Sequence, residues 1–168
     1  MKEIQLTRNK VALVDNEDFE WLSTLNWFAK PHHGNWYAIG NIGRDDKTRY
    51  TCSMHRFILK PPKYIAIDHI DTNGLNNQRS NLRICTNSQN AMNRKISRVN
   101  TTGFKGVYSE NNKWRAQIKM NQKIFFIGMF SDKIAAAHAY DQKAIELFGE
   151  FSRLNFPQQK ESNETIIS

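Results

Sequence analysis

Asp68 and His69 stand side by side where a short apolar run ends, in "YIAIDHID", and asparagines follow at intervals, Asn81 and Asn90 among them. A carboxylate and a carboxamide oxygen are hard donors. They suit one divalent cation that leaves its other positions to water and phosphate. A histidine near its ordinary pKa takes up a proton at neutral pH. Phosphodiester hydrolysis asks for such a set: a base for the attacking water, and positive charge for the phosphorane and the leaving oxygen. Asp68 can supply the carboxylate, Asn90 the amide oxygen and His69 the base. A plainer reading is a capped turn, in which Asp68 and Asp71 bond nearby amides and the asparagines satisfy a long loop. Geometry adds a condition. Adjacent side chains of a regular strand point to opposite faces, so Asp68 and His69 converge only if the strand ends or twists there, which the polar loop from Ile70 allows.

The elements that must position these residues are short. "YIAI" (64–67) reads as a strand after the breaker "KPPK", and "DTNGLNNQRSN" as a loop turned by Asn-Gly. "LRIC" (82–85) reads as a second strand. Thr86 with Gln89 makes a capping box that opens a helix over "NSQNAMNRK". Upstream, "KVALVD" reads as a strand, and Asp15 is placed to cap a helix over "NEDFEWLSTL". "NWFAK" and "NWYAIG" read as a hairpin around "PHHG", and "RYTCSMH" (49–55) as a further strand. Trp21, Trp27 and Trp36 are expected in the core. His32 and His33 sit in a turn beside Gly34.

The pattern "HRFI…IDHID…NN…SNLR…QN", over roughly residues 50–95, resembles the HNH nucleases, in particular the phage and intron-encoded homing endonucleases. The resemblance implies a ββα-metal unit, with His69 as general base and Asp68 and Asn90 holding one Mg2+ or a similar ion such as Mn2+. It makes Asn81 the middle Asn of the motif, tying the loop to the neighbouring strand so that His69 is oriented. Either Asn90 or Asn87 fills the last place of the motif. His55 and Arg56 match the family's "HR" pair; a phosphate contact is one role for Arg56, and His55 has none assigned.

The polar stretch "ISRVNTTG" is expected to separate two domains. Beyond it, "GFKGVY", "KWRAQIKM" and "KIFFIGMF" read as three antiparallel strands, and "SDKIAAAHAYDQKAIELFG" as a helix stopped by Gly149. Residues 103–130 carry Lys105, Lys113, Arg115, Lys119 and Lys123 against Glu110, a net of +4, whereas 131–150 carry Lys133 and Lys143 against Asp132, Asp141, Glu146 and Glu150, a net of −2. Alternation sends Lys113, Arg115, Gln117 and Lys119 to one face, and Trp114, Ala116, Ile118 and Met120 onto the stripe of Ala136, Tyr140, Ala144 and Leu147. "GFKGVY…KWRAQI…IGMF…AAHAYDQKA…FG…NFP" resembles the APETALA2/ethylene-response-factor DNA-binding domain. That resemblance implies a sheet lying in the major groove, with Lys105, Tyr108, Lys113, Gln117, Lys119 and Phe126 at matching positions. Arg115, Lys123, Arg94, Lys95 and Arg98 add basic groups for the same partner. Several family arginines are Lys, Tyr or Gln here, and Lys cannot reproduce the bidentate Arg fork.

The expected class is therefore α+β: a small N-terminal α/β unit of the nuclease half (1–50), a ββα-metal core (51–96), a linker (97–102), a three-stranded sheet packed on one helix (103–157) and a loose tail (158–168). A net charge of +8 favours an anionic partner, here double-stranded DNA. A site-specific endonuclease, monomeric and without a small-molecule substrate, is the expectation. A regulator that keeps the folds without catalysis is the main alternative, and an RNA-binding sheet with stacking Tyr108 and Phe126 a third. No apolar run approaches the roughly 18 residues that a spanning helix needs. "MKEIQLTRNK" is no signal segment, and Cys52 and Cys85 read as buried small apolar residues in a reducing compartment rather than a disulfide or zinc site. The expected setting is the cytoplasm of a bacterial or phage-infected cell.

Overall fold

The computed structural model describes residues 1–43, 48, 50–97 and 99–157. Two units divide the chain, Met1–Asn93 and Arg94–Ser168.

The first unit opens with a hairpin of β1 (Lys2–Leu6) and β2 (Lys10–Val14). Arg8 and Asn9 turn it, both at positive φ, which matches the right-handed twist of the strands. Ile4, Leu6, Ala12 and Val14 alternate inward. Helix α1 (Asn16–Ser23) follows, then a three-stranded antiparallel sheet of β3 (Trp27–His32), β4 (Asn35–Ile42) and β5 (Tyr50–Ser53), with β4 central. The β3–β4 turn is His33–Gly34, both at positive φ. Helix α2 (Met54–Leu59), the antiparallel pair β6 (Ala66–His69) and β7 (Leu82–Cys85), and helix α3 (Asn87–Met92) complete the unit. One core joins these pieces. Leu22 and Met54 are fully buried, Trp27 lies among them with its Nε1 donating to Leu22 O, and Trp21 and Trp36 pack at its margin.

Three local expectations are corrected. Asp15 stands at the start of α1 but makes no side-chain cap. Its carboxylate accepts from Arg79 N (2.7 Å) and Gln78 Nε2 (3.3 Å) instead, so it holds the loop that precedes β7. The strand read over 49–55 stops at Ser53, and His55 is helical. Met54 and Ile58, four residues apart, are both buried in the core, which is the spacing of a helix face. The strand read over 64–67 begins at Ala66, and Tyr64 is exposed at positive φ. Arg56 explains this last shift, because its guanidinium donates to Pro62 O (3.2 Å) and Ile65 O (2.6 Å) and occupies carbonyls a strand partner would need.

The loop between β6 and β7 is stitched to the N-terminal hairpin. Leu13 N donates to Leu75 O (2.9 Å) and Asn77 N to Leu13 O (2.7 Å). Arg79 forks onto the buried Asp18 through Nε (2.8 Å) and Nη2 (2.7 Å). Arg79→Ala should therefore leave a buried carboxylate without its cation. The Arg79 side chain is 43% exposed, so solvent screens part of the loss; about 2 kcal/mol is expected rather than the full cost of a broken buried pair. Urea unfolding measures it, and an unchanged midpoint would contradict the role given to this pair.

In the second unit, β8 (Val107–Glu110), β9 (Lys113–Met120) and β10 (Lys123–Phe130) form an antiparallel sheet with β9 in the centre. Helix α4 (Lys133–Phe148) packs on it through Ala136, Ala137, Tyr140 and Ala144. Asp132 caps the helix by accepting from Ala135 N (2.7 Å), and Gly149 ends it at positive φ. Gly106 is required: a Cβ there would lie 2.0 Å from the Tyr140 ring. Asp141, buried in the helix, accepts from Asn155 N and Phe156 N and fastens the segment that follows. Among the described residues, no helix is long and apolar enough to cross a membrane.

Candidate active site

The register of β6 and β7 sets Asp68 directly opposite Arg83, and His69 opposite Leu82. Alternation then sends Asp68 and His69 to different neighbours. Asp68 is 5% exposed. Its Oδ2 accepts from Arg83 Nε (3.0 Å) and Nη2 (2.7 Å). Asn93, the residue that closes α3, donates through Nδ2 to both Asp68 oxygens, each at 3.0 Å. The same amide reaches His69 O (2.9 Å) and Ile70 O (3.2 Å), so it clasps the end of β6. The capping box expected at Thr86 and Gln89 is present in both directions and fixes the start of α3.

His69 turns to an aromatic group. Its ring meets His55 edge-on at 4.9 Å, and Tyr37 lies 5.9 Å away. His55 Nε2 is 3.1 Å from Ser53 Oγ. Burial pushes the His55 pKa down to about 3, helped by His69 and Arg56. Burial also lowers the pKa of His69, against the raising influence of the Asn77 side chain and of Asp71 and Asp68. His69 is thereby kept neutral, the form that accepts a proton. Asn77 is fully buried. Its Nδ2 donates to Leu75 O (3.1 Å), while Asn77 Oδ1 and His69 Nε2 are both buried without a hydrogen-bond partner.

Asn81 ties the loop together. Its Oδ1 accepts from Asp71 N (3.0 Å), and its Nδ2 donates to Asp71 Oδ1 (3.0 Å) and Asn76 O (2.8 Å). Its carbonyl accepts from Ile70 N (2.9 Å), one residue beyond His69. Asn87 is exposed at the start of α3, and Asn90 is half-buried within it. The structure brings Asn93 to Asp68, not Asn90, although Asn90 lies three residues earlier on the same helix. Asn93 lies outside the quoted motif, and Arg83 stands within it, in "SNLR", without an assigned role. A cross-strand partner for Asp68 could have been sought in "LRIC", but only the register names it.

Among the described residues, no three of His, Cys, Asp and Glu gather as metal ligands. A cation here would rest on Asp68, on carboxamide oxygens of α3 and on non-protein oxygens. Such a sparse oxygen set fits a hard ion such as Mg2+. Cys85 and Cys52 are free thiols; Cys85 is buried as expected, whereas Cys52 is only half-buried, and burial raises both, Cys85 to about 11.

In the second unit, the cross-strand pairs Tyr108–Arg115, Arg115–Met129, Gln117–Phe126 and Lys119–Ile124 share the face away from α4. Tyr108, Ile124 and Phe126 are well exposed there, beside Lys113 and Lys119. Arg115 bonds Glu110 (3.3 Å) and lies 5.5 Å from the Phe126 ring. Lys123 pairs with Met120 at the tip of the sheet. Lys105 precedes the sheet; its Nζ donates to Arg94 O (3.1 Å), and burial with Arg153 and Arg94 nearby pushes its pKa down to about 8. Arg94 and Lys95 are exposed ahead of it, and Arg98 lies outside the described residues. Arg56 holds carbonyls, as above. His138 is exposed and stacks on Phe156 at 4.2 Å.

The HNH endonuclease family model matches residues 60–92, the span of β6, its loop, β7 and α3. An uncharacterized HNH endonuclease of Acanthamoeba polyphaga mimivirus is 41% identical over 151 residues, covering 86% of this chain and 74% of that protein. The chain belongs to the HNH endonuclease family. Protein 3.8 of Escherichia phage T7 is 39% identical over 64 residues, 37% of this chain and 53% of its own. In this HNH endonuclease the matched span holds Asp68, His69, Asn81 and Asn90, and Asn93 falls just past its end.

Proposed function

We propose that the protein is a site-specific, homing-type DNA endonuclease that hydrolyses a phosphodiester with one Mg2+ or Mn2+ ion. The observation that carries this is the placement of Asp68 and His69 at the end of β6, in the family-matched segment, against a helix that presents asparagines. His69 is the general base, held neutral by burial. The Asn77 carbonyl can accept from one ring nitrogen and leave the other to take the proton. Asn81 holds the loop from Ile70 to Asn76, and with it the backbone beside His69. Asp68, with Asn90 on the facing helix, holds the metal. When bound, the ion supplies positive charge for the phosphorane and the leaving oxygen. A single site in a monomer nicks one strand.

The second unit, read as an APETALA2-like domain, supplies site choice through Tyr108, Lys113, Arg115, Gln117, Lys119, Lys123 and Phe126. Supercoiled-plasmid nicking with and without Mg2+ tests the activity. Tight DNA binding with no nicking in any divalent ion would make the protein a non-catalytic binder instead. The sheet is tested apart from the site. Replacing Lys113, Lys119 and Lys123 by Ala should make the salt dependence of duplex binding shallower by about 0.9 per lost phosphate contact, or roughly 2 to 3 units in all. Filter binding measures this, and an unchanged slope would remove the sheet from the interface.

A further inference from the structure

Arg83 lies opposite Asp68 by strand register, and neither is in open solvent: their side chains are 11% and 6% exposed. Asp68 Oδ2 accepts from Arg83 Nε and Nη2 and from Asn93 Nδ2, so three donors share one oxygen that has two lone pairs. Asp68 Oδ1 accepts from Asn93 Nδ2 at 3.0 Å. A cation on that carboxylate shares its negative charge with a guanidinium already seated on it. Two positive partners of one buried carboxylate weaken each other, and the low dielectric of a buried site sharpens the effect. An arginine fork, however, matches a phosphate as well as it matches a carboxylate.

We propose that Arg83 and the divalent cation compete for Asp68, and that a DNA phosphate relieves the competition by taking over the guanidinium. The inference rests on the metal reading of Asp68 above. It makes Arg83 a positioning residue that couples metal affinity to DNA. The free protein holds metal weakly, and the protein on DNA holds it well.

The test is a Mn2+ titration of the full chain, read by electron paramagnetic resonance, with and without a random-sequence duplex. Asp68→Ala in the same arms reports what DNA alone retains. For the wild-type chain, DNA should tighten Mn2+ binding roughly tenfold beyond that control. Arg83→Met should bind Mn2+ roughly tenfold more tightly than wild type without DNA and gain little when DNA is added. Its melting temperature should rise more on adding Mn2+ than that of wild type, because the ion replaces a lost buried partner. Arg83→Lys, which keeps the charge without the fork, should stay weak. Equal or weaker metal binding by a folded Arg83→Met overturns the proposal. If that variant does not fold, the wild-type arms decide, and no gain of affinity on DNA overturns it. Nicking with Mn2+ binding intact, but no effect of Arg83 or DNA on affinity, would sink this inference alone. No Mn2+ bound in any arm, together with no nicking, would sink the metal reading beneath it.

Discussion

His69→Ala should lower nicking by about 10²–10⁴-fold, the usual cost of losing a general base, while duplex binding survives. The reason is local. His69 is neutral because burial outweighs Asn77, Asp71 and Asp68, and its ring lies against those of His55 and Tyr37. The variant therefore removes a proton acceptor without removing the loop's hydrogen bonds. The sign of the pH dependence follows. With its pKa lowered, His69 remains a competent base below pH 6.5, so the acid limb of the rate should fall below that value. Single-turnover nicking across pH 5 to 8 checks both statements. Wild-type nicking by His69→Ala would remove the base from the mechanism.

Acid should unfold this protein through His55. In the folded chain its pKa is about 3, against an ordinary 6.5. Between those values the unfolded chain binds a proton that the native chain does not. Stability is therefore highest above pH 6.5 and falls as pH drops towards 3. Each pH unit in that window removes about 1.4 kcal/mol, so some 3 kcal/mol goes between pH 6.5 and 4 from this group alone. His69 is shifted in the same direction and adds to the loss. His55→Phe keeps a ring against His69 and Tyr37 and abolishes the titration. Urea unfolding at pH 7 and pH 4 should show a smaller drop for this variant than for wild type. An equal drop would place the acid sensitivity elsewhere.

Much of the second unit is readable from residue types. Strict alternation over 113–120 separates a charged face from one that packs on α4, and Gly149 closes the helix where its backbone takes positive φ. Around the site, the capping box at Thr86 is legible because it is a local device with fixed spacing, whereas a role for Asn81 comes only from the family resemblance, its bonds reaching back to Asp71. What escaped depends on register and docking. Arg83 meets Asp68 only because the β6–β7 pairing falls where it does, and a slip of one residue would have turned it away. Asn93 and Asn90 lie close on α3, and which of them reaches the strand is decided by how that short helix sits. His55 looked like strand because "RYTCSMH" is β-prone, and the core preferred the helical pair Met54 and Ile58. Tyr64 opens "YIAI" and reads as strand, but Arg56 holds its neighbours as loop.

The stitches from the N-terminal hairpin to the site loop bear on modularity. Residues 60–92 read as a portable cassette. Its loop nevertheless draws hydrogen bonds from Leu13, Asp15 and Asp18, at sequence separations of up to 64. Closing a chain segment of that length costs about 3–4 kcal/mol of entropy. Within the whole unit that cost is met by the shared core around Leu22 and Trp27. Excised and grafted onto another scaffold, the cassette would carry Asp68 and His69 but leave behind the groups that hold Asn77 and Arg79. The recipient would have to offer a strand edge and two acids of its own, one of them buried. Exchange of this candidate site between proteins is thus confined to hosts that bring a matching hairpin, or to transfers that move the first 93 residues together.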